Sequence, residues 1–363
     1  SGAPALLLAA TLGAIANLAF PPVHVWPALA LALSGLIWLM DGAKLREKPA
    51  RAVFWRAFSF GFTYFLVGLH WIAAAFLVDG ERFLALIWMP LTLLPAGLAL
   101  ILAGLLTLGF RFWSAGPARL APFAVAFMLA EWVRGDLFGL GGLPWNLPAM
   151  TWTAGGAISQ SVSLWGVYGL SLLTLAGLAA PGVLADGRAR SRMIGRAAPL
   201  LAAAVVFGAI WGFGARRLSE AETLAAGPPG PMVRLVEAGV PQRQKYNPDV
   251  APLVVRRFRD LMGADGPGAA PVIIWPEGAL PYYLFEWPEV LDVIVERLGT
   301  RTLLAGVARR EEAGAPGERA YNSLAVVTAD SVLKGPAALY DKHMLVPFGE
   351  FIPLGRHLWF LQW

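Results

Sequence analysis

Over the first 215 residues the chain is written in long apolar runs separated by short polar breaks. A helix that crosses a bilayer needs about 20 mostly apolar residues. Seven stretches approach that length: residues 4–20, 25–40, 53–78, 83–110, 120–133, 161–184 and 198–213. The first, second, fifth and seventh are the shortest. The pattern then changes. Residues 216–230 read as a linker that closes on Gly227-Pro228-Pro229-Gly230. Beyond it, β-branched runs at 232–236, 272–275 and 302–307 alternate with amphipathic helical stretches at 252–262 and 290–298. Two further strands, 324–328 and 332–340, flank Ala329-Asp330-Ser331 and predict a hairpin. Strands alternating with helices predict a layered α/β domain. The expected organisation is a multi-pass α-helical membrane domain of about seven helices over 1–215, a linker, and an α/β domain over 231–363, long enough to bury its own core.

Composition sharpens this picture. The chain is 57% hydrophobic and only 15% charged, with 15 tryptophans, against about 25% charged residues in a soluble domain. The net charge of +5 is carried largely by short breaks between apolar runs. Lys44, Arg46, Lys48 and Arg51 follow span two, Arg111 and Arg119 follow span four, and Arg188, Arg190, Arg192 and Arg196 follow span six. Lys and Arg accumulate on the cytoplasmic side. Even-numbered spans therefore end inside, and the α/β half lies outside. The charge reads as topology, and no nucleic-acid partner is expected. The first run carries Ala14-Ile15-Ala16, similar to a signal-cleavage site. It lacks a basic leader, and another apolar run follows at once, so it reads as a span. A start at Ser1 predicts a processed or trimmed N-terminus.

Candidate chemistry falls mainly in the polar half. Tyr340–Pro353, YDKHMLVPFGEFIP, places Lys342 and Glu350 eight residues apart in a bent, apolar segment that follows a strand. Buried charges of opposite sign mark either a site or a salt-bridged turn. In VIIWPEGALP, a buried strand runs into Pro276-Glu277-Gly278. Glu277 then sits at a strand's carboxyl end, where α/β sheets place ligands, and with Trp275 and Leu280 as an apolar wall it suits a general base. The alternative is a turn-capping glutamate. Asn322 and Ser323 read as turn chemistry at a strand start. In the membrane half, Glu131 and Arg134 lie three apart on one helical face and read as a structural pair before a catalytic one. His24 and His70 read as packing residues. The outer loop GDLFGLGGLPWNLPAMTWTAGG, with Trp145 and Trp152, reads as a lip for lipid entry or as an aromatic interface anchor. There is no cysteine in the 363 residues, and no G-x-S-x-G, P-loop, H-E-x-x-H or dinucleotide fingerprint. Neither a metal nor a cofactor is expected.

These residues carry a resemblance. WPEG after a strand, then YDKHMLVPFGEFIP, is similar to the nitrilase, or carbon–nitrogen hydrolase, superfamily. The spans, EWVRG and LPW narrow the likeness to the bacterial apolipoprotein N-acyltransferases, along essentially the whole chain. The resemblance implies a nitrilase-like αββα sandwich, of which these residues supply part, and a Glu-Lys-Cys triad. Glu277 matches the base, Lys342 the lysine and Glu350 a supporting glutamate. The cysteine would lie tens of residues past Lys342, so a longer protein is expected. Tyr246 stands where the family often has Trp, which implies an aromatic lid. With Trp145 and Tyr282 it forms the expected substrate-binding set. The implied reaction moves a fatty acyl chain from a phospholipid, through a cysteine thioester, to the α-amino group of a diacylated apolipoprotein. The implied setting is the bacterial inner (plasma) membrane, with the α/β domain periplasmic and the protein a monomer. A membrane-tethered amidase, a non-catalytic lipid-binding protein and a transporter are the alternatives.

Overall fold

A computed structural model describes residues 2–77, 84–136, 142–185, 193–225, 227, 230–241, 245, 247, 249–266, 268–312, 314, 318–345 and 350. The chain divides into two compact units: Ser1–Leu224 with Val346–Trp363, and Ala225–Leu345.

The first unit is helical. Its long helices are α1 (Gly2–Ala16), α2 (Trp26–Ala43), α3 (Pro49–Leu69), α4 (Leu94–Gly109), α5 (Leu120–Asp136), α6 (Val162–Ala179) and α7 (Met193–Ala225). Each answers to one of the seven predicted spans. Among the described residues, six helical stretches are long and apolar enough to cross a membrane. The remaining helix, α5, has 17 residues. Helix α7 runs through the first two thirds of the expected linker, because Arg216 to Ala225 is rich in helix formers and Arg216 pairs with Glu220 one turn on, at 2.7 Å.

Small residues set the helix crossings. A Cβ on Gly61 of α3 would lie 3.2 Å from Ala99 Cα on α4, so the two backbones meet where neither side chain intervenes. Phe60, Tyr64, Phe123 and Phe127 pack ring against ring within this core. Arg119 departs from its reading as a loop cation. It is 1% exposed and pairs with Asp41 at 3.2 Å, joining the start of α5 to the end of α2.

Among the described residues the second unit holds a five-stranded mixed sheet in the order β1 (Val233–Leu235), β2 (Val272–Ile274), β3 (Thr302–Glu311), β4 (Arg319–Val327) and β5 (Ala338–Asp341). Strands β1, β2 and β3 are parallel, and β3, β4 and β5 are antiparallel. The parallel strands are joined by α8 (Ala251–Leu261) and α9 (Pro288–Leu298). Both crossovers step in the same direction along the sheet. Right-handed connection therefore lays both helices on one face. There Val254, Phe258, Leu291, Ile294 and Leu298 pack against Ile273, Leu303, Ala305, Val307, Ala325 and Val327. The alternate sheet positions form a second face, which α8 and α9 leave uncovered.

The predicted hairpin needs one correction. β4 and β5 do pair, but Ser331–Lys334 is a helical turn, α10, and not strand. The Ser331 hydroxyl accepts from Thr328 N at 2.9 Å, Lys334 pairs with Asp330 at 2.7 Å, and Gly335 at φ 76° ends the turn. Local side-chain bonds of this kind compete with a strand ladder.

Candidate active site

The register of the sheet builds the site. Strand pairing places Gly306, Leu324 and Tyr340 in one row across β3, β4 and β5. One step along, Ala308 opposes Asn322, and Lys342 N donates to Asn322 O at 2.9 Å, continuing the ladder past Asp341. Side chains on neighbouring strands at matched positions share a face. Asn322 and Lys342 therefore stand side by side on the face opposite α8 and α9.

Glu277 arrives at them from β2. After Ile274 the chain turns over β3, held on both sides of the glutamate. Trp275 N donates to Leu304 O at 2.8 Å, and Ala279 N to Gly306 O at 3.0 Å. Gly306 is what admits this turn, since a Cβ there would lie 2.6 Å from Glu277 Cα. Glu277 Oε1 accepts from Lys342 Nζ at 3.0 Å and from Asn322 Nδ2. The acid thus meets an amide 45 residues and an amine 65 residues further along the sequence. They line a cleft of about 520 Å³ together with Trp275, Gly306, Tyr340 and Met344.

The pair is open to water, with side-chain exposure of 30% for Lys342 and 63% for Glu277. An ion pair this exposed contributes at most about 1 kcal/mol to folding. Stability alone is therefore a weak reason for three strands to converge on it. Of the expected apolar wall, Trp275 borders the cleft but at 2% exposure belongs mainly to the core, as does Leu280 at 3%, and Glu277 itself stays exposed.

A second polar group supports the strand ends. Arg309 donates to Asp341 through Nε at 3.0 Å and Nη2 at 2.6 Å, to Glu311 at 2.7 Å, and stacks over Tyr321 at 4.0 Å. The Ser323 hydroxyl donates to Asp341 at 2.6 Å. The Arg309 guanidinium and this hydroxyl hold the Asp341 carboxyl below the usual carboxylate range. Asp341 immediately precedes Lys342, so this network fixes the strand that carries the lysine. Lys245 approaches the same turn from another segment: a Cβ on Gly278 would lie 3.8 Å from its Nζ. Burial lowers the Lys245 pKa, against the opposing effect of Glu237.

The other expected site residues fall elsewhere. Tyr246 lies outside the described residues. Tyr282 is half-buried and packs on Trp287 at 5.3 Å, not among the described lining of the cleft. Glu350 is exposed and groups with the first unit. Trp145 also belongs to the first unit, edge-on to Trp71 at 5.1 Å, and its carbonyl accepts from Arg134 Nη2 at 2.7 Å. Arg134 also bonds Glu131 through Nε at 2.7 Å and reaches the Leu143 carbonyl. Arg134, held by Glu131, thus ties its helix to two carbonyls of the non-helical segment that follows. Asn322, Gly306, Asp341, Arg309 and Lys245 were not legible as site residues. A β4 begun two residues earlier would have revealed Asn322 beside Lys342.

A multi-span helical unit joined to a nitrilase-like α/β sheet, with a lysine and a glutamate at its strand ends, defines the class as a membrane protein bearing a carbon–nitrogen-hydrolase-like domain. Residues 12–180 match the family described as apolipoprotein N-acyltransferase N-terminal domain. The chain is 40% identical, over 98% of its length, to an apolipoprotein N-acyltransferase of Caulobacter vibrioides, of which it covers 65%. Proteins of the same name from Rhodopseudomonas palustris and Brucella melitensis are 35% and 37% identical over 96% and 95% of the chain, which covers 65% of each. The chain is thus similar, along nearly its whole length, to proteins named apolipoprotein N-acyltransferase, and it spans 65% of the length of these relatives.

Proposed function

We propose that the protein of which these residues form part transfers a fatty acyl chain from a phospholipid to the α-amino group of a diacylated apolipoprotein, in the bacterial inner membrane, with the α/β unit periplasmic. The observation that carries this reading is the 3.0 Å contact between Lys342 Nζ and Glu277 Oε1 at the strand ends. The family similarity supplies the reaction class.

The nucleophile in this reading is a cysteine thiol, which is not one of the 363 residues. Glu277 takes the thiol proton. The thiolate attacks a phospholipid ester carbonyl, with phosphatidylethanolamine the expected donor, and Lys342 stabilises the oxyanion. The carbon–oxygen ester bond breaks, Glu277 returns a proton to the departing alkoxide, and lysophospholipid leaves. In the second half-reaction the acceptor amine attacks the thioester, its proton passes to Glu277, and the carbon–sulfur bond breaks as the amide forms. This is covalent catalysis with ping-pong kinetics. Asn322 keeps the Glu277 carboxylate facing Lys342. Glu350, Tyr246, Trp145 and Tyr282 are assigned supporting and substrate contacts on the family resemblance.

The test is acyl-enzyme formation from radiolabelled phospholipid in the full-length protein. Glu277→Gln and Lys342→Ala are each expected to abolish the labelled thioester while membrane insertion is unchanged. Normal thioester yield in either variant refutes the assignment.

A further inference from the structure

A second cleft, of about 500 Å³, opens in the helical unit where α1 begins, α2 ends and α3 begins. Its charge is one-sided. Arg46, Lys48, Arg51 and Arg56 line it against a single carboxylate, Glu47. Among the described residues none of the four cations has a carboxylate partner, and the nearby Asp41 is taken by Arg119 and by Trp113 Nε1 at 2.7 Å.

Arg56 is the unusual member. It is 6% exposed, and its one hydrogen bond among the described residues goes to the Leu39 carbonyl. A buried guanidinium without a counter-charge is costly, yet this one lines a cleft with three more cations. The first turn of α3 adds to the field. Lys48 caps it without a side-chain hydrogen bond, and Lys48, Arg51 and Ala52 of this turn line the cleft, where the positive end of a helix favours an anion. The remaining wall is apolar. Leu6 and Ala52 line the cleft beside Trp55, which is 45% exposed. These groups lie at the ends of helices long and apolar enough to cross a membrane. An acyl chain would find apolar surface immediately next to the cations.

We propose that this cleft binds the phosphate of an anionic phospholipid, with Arg56 and Arg51 holding the headgroup and Leu6 and Trp55 flanking its acyl chain. The site is separate from the Glu277–Lys342 pair and does not depend on the reaction proposed for it. Basic pockets between membrane helices hold such headgroups, each cation near an anionic lipid surface adding roughly a factor of five in affinity.

The experiment uses the full-length protein in vesicles of equimolar phosphatidylcholine and phosphatidylglycerol. The protein is extracted in mild detergent and its retained lipid is quantified by mass spectrometry. Wild type is expected to retain phosphatidylglycerol over phosphatidylcholine by roughly tenfold or more. The exposed double variant Arg46→Gln/Arg51→Gln should lose most of that enrichment, and Arg56→Gln should lose it if it folds. Arg111→Gln removes an exposed cation outside the cleft and should keep it. Equal loss in Arg111→Gln, or none in the double variant, overturns the proposal. So does release of phosphatidylglycerol by millimolar inorganic phosphate, which would mark a site for free anions and not for lipid.

Discussion

Gly306→Ala tests whether the glutamate's position depends on the strand beneath it. The new methyl carbon would stand 2.6 Å from Glu277 Cα and 2.8 Å from Glu277 N, where carbon atoms prefer about 3.5–4.0 Å. Roughly 1 Å must be recovered, and the obstacle is backbone, not a flexible side chain. The turn has little slack, because Trp275 N and Ala279 N are both bonded to β3. Overpacking of this kind costs about 1–3 kcal/mol, which lowers the melting temperature of a domain this size by several degrees. The larger effect should be on chemistry. Moving Glu277 by about 1 Å stretches its contacts with Lys342 and Asn322, and displacements of that size cost on the order of a hundredfold in rate. Thermal unfolding of the full-length protein would be measured beside single-turnover acyl-enzyme formation. Wild-type melting and wild-type rate together would refute the argument. A lowered melting temperature with an unchanged rate would refute the link to Glu277.

Three other measurements follow. Asp341 is held below the usual carboxylate range by Arg309 and Ser323, so its contribution is fully present above the unfolded value near 3.9 and is lost as pH falls through the lower folded one. Acid unfolding should therefore steepen below about pH 4, and Asp341→Asn should flatten that limb; identical pH profiles would contradict this. Arg134→Ala leaves Glu131 buried without its cation and should cost about 3–5 kcal/mol, read by thermal unfolding in detergent, whereas an unshifted transition would show the pair to be dispensable. Burial lowers the Lys245 pKa, which leaves more neutral amine near pH 9. Competitive labelling with acetic anhydride should modify Lys245 ahead of exposed lysines such as Lys334, and the reverse order would count against it.

The apolar runs made the membrane half legible because a bilayer demands length and hydrophobicity before anything else. The buried polar groups inside it were less so. Arg119 sits in a loop-like context in sequence, yet it ends 1% exposed against Asp41. In the α/β half, Glu277 and Lys342 could be singled out because a strand runs into each. Their partners could not, since Asn322 and Gly306 matter through cross-strand register, which no local pattern records. The apolar wall expected around Glu277 is thinner than its sequence neighbours suggested for a related reason. Trp275 and Leu280 flank it in sequence, but the turn sends their side chains inward and its own outward.

The uncovered sheet face has a practical consequence. Leu235 at 75% exposure and Tyr340 at 58% share it with Leu324 and with the acid–amine pair. Greasy surface bordering an open polar cleft adsorbs alkyl tails without a tailored pocket. Handled by themselves, these 363 residues will therefore adsorb surfactant tails on that face.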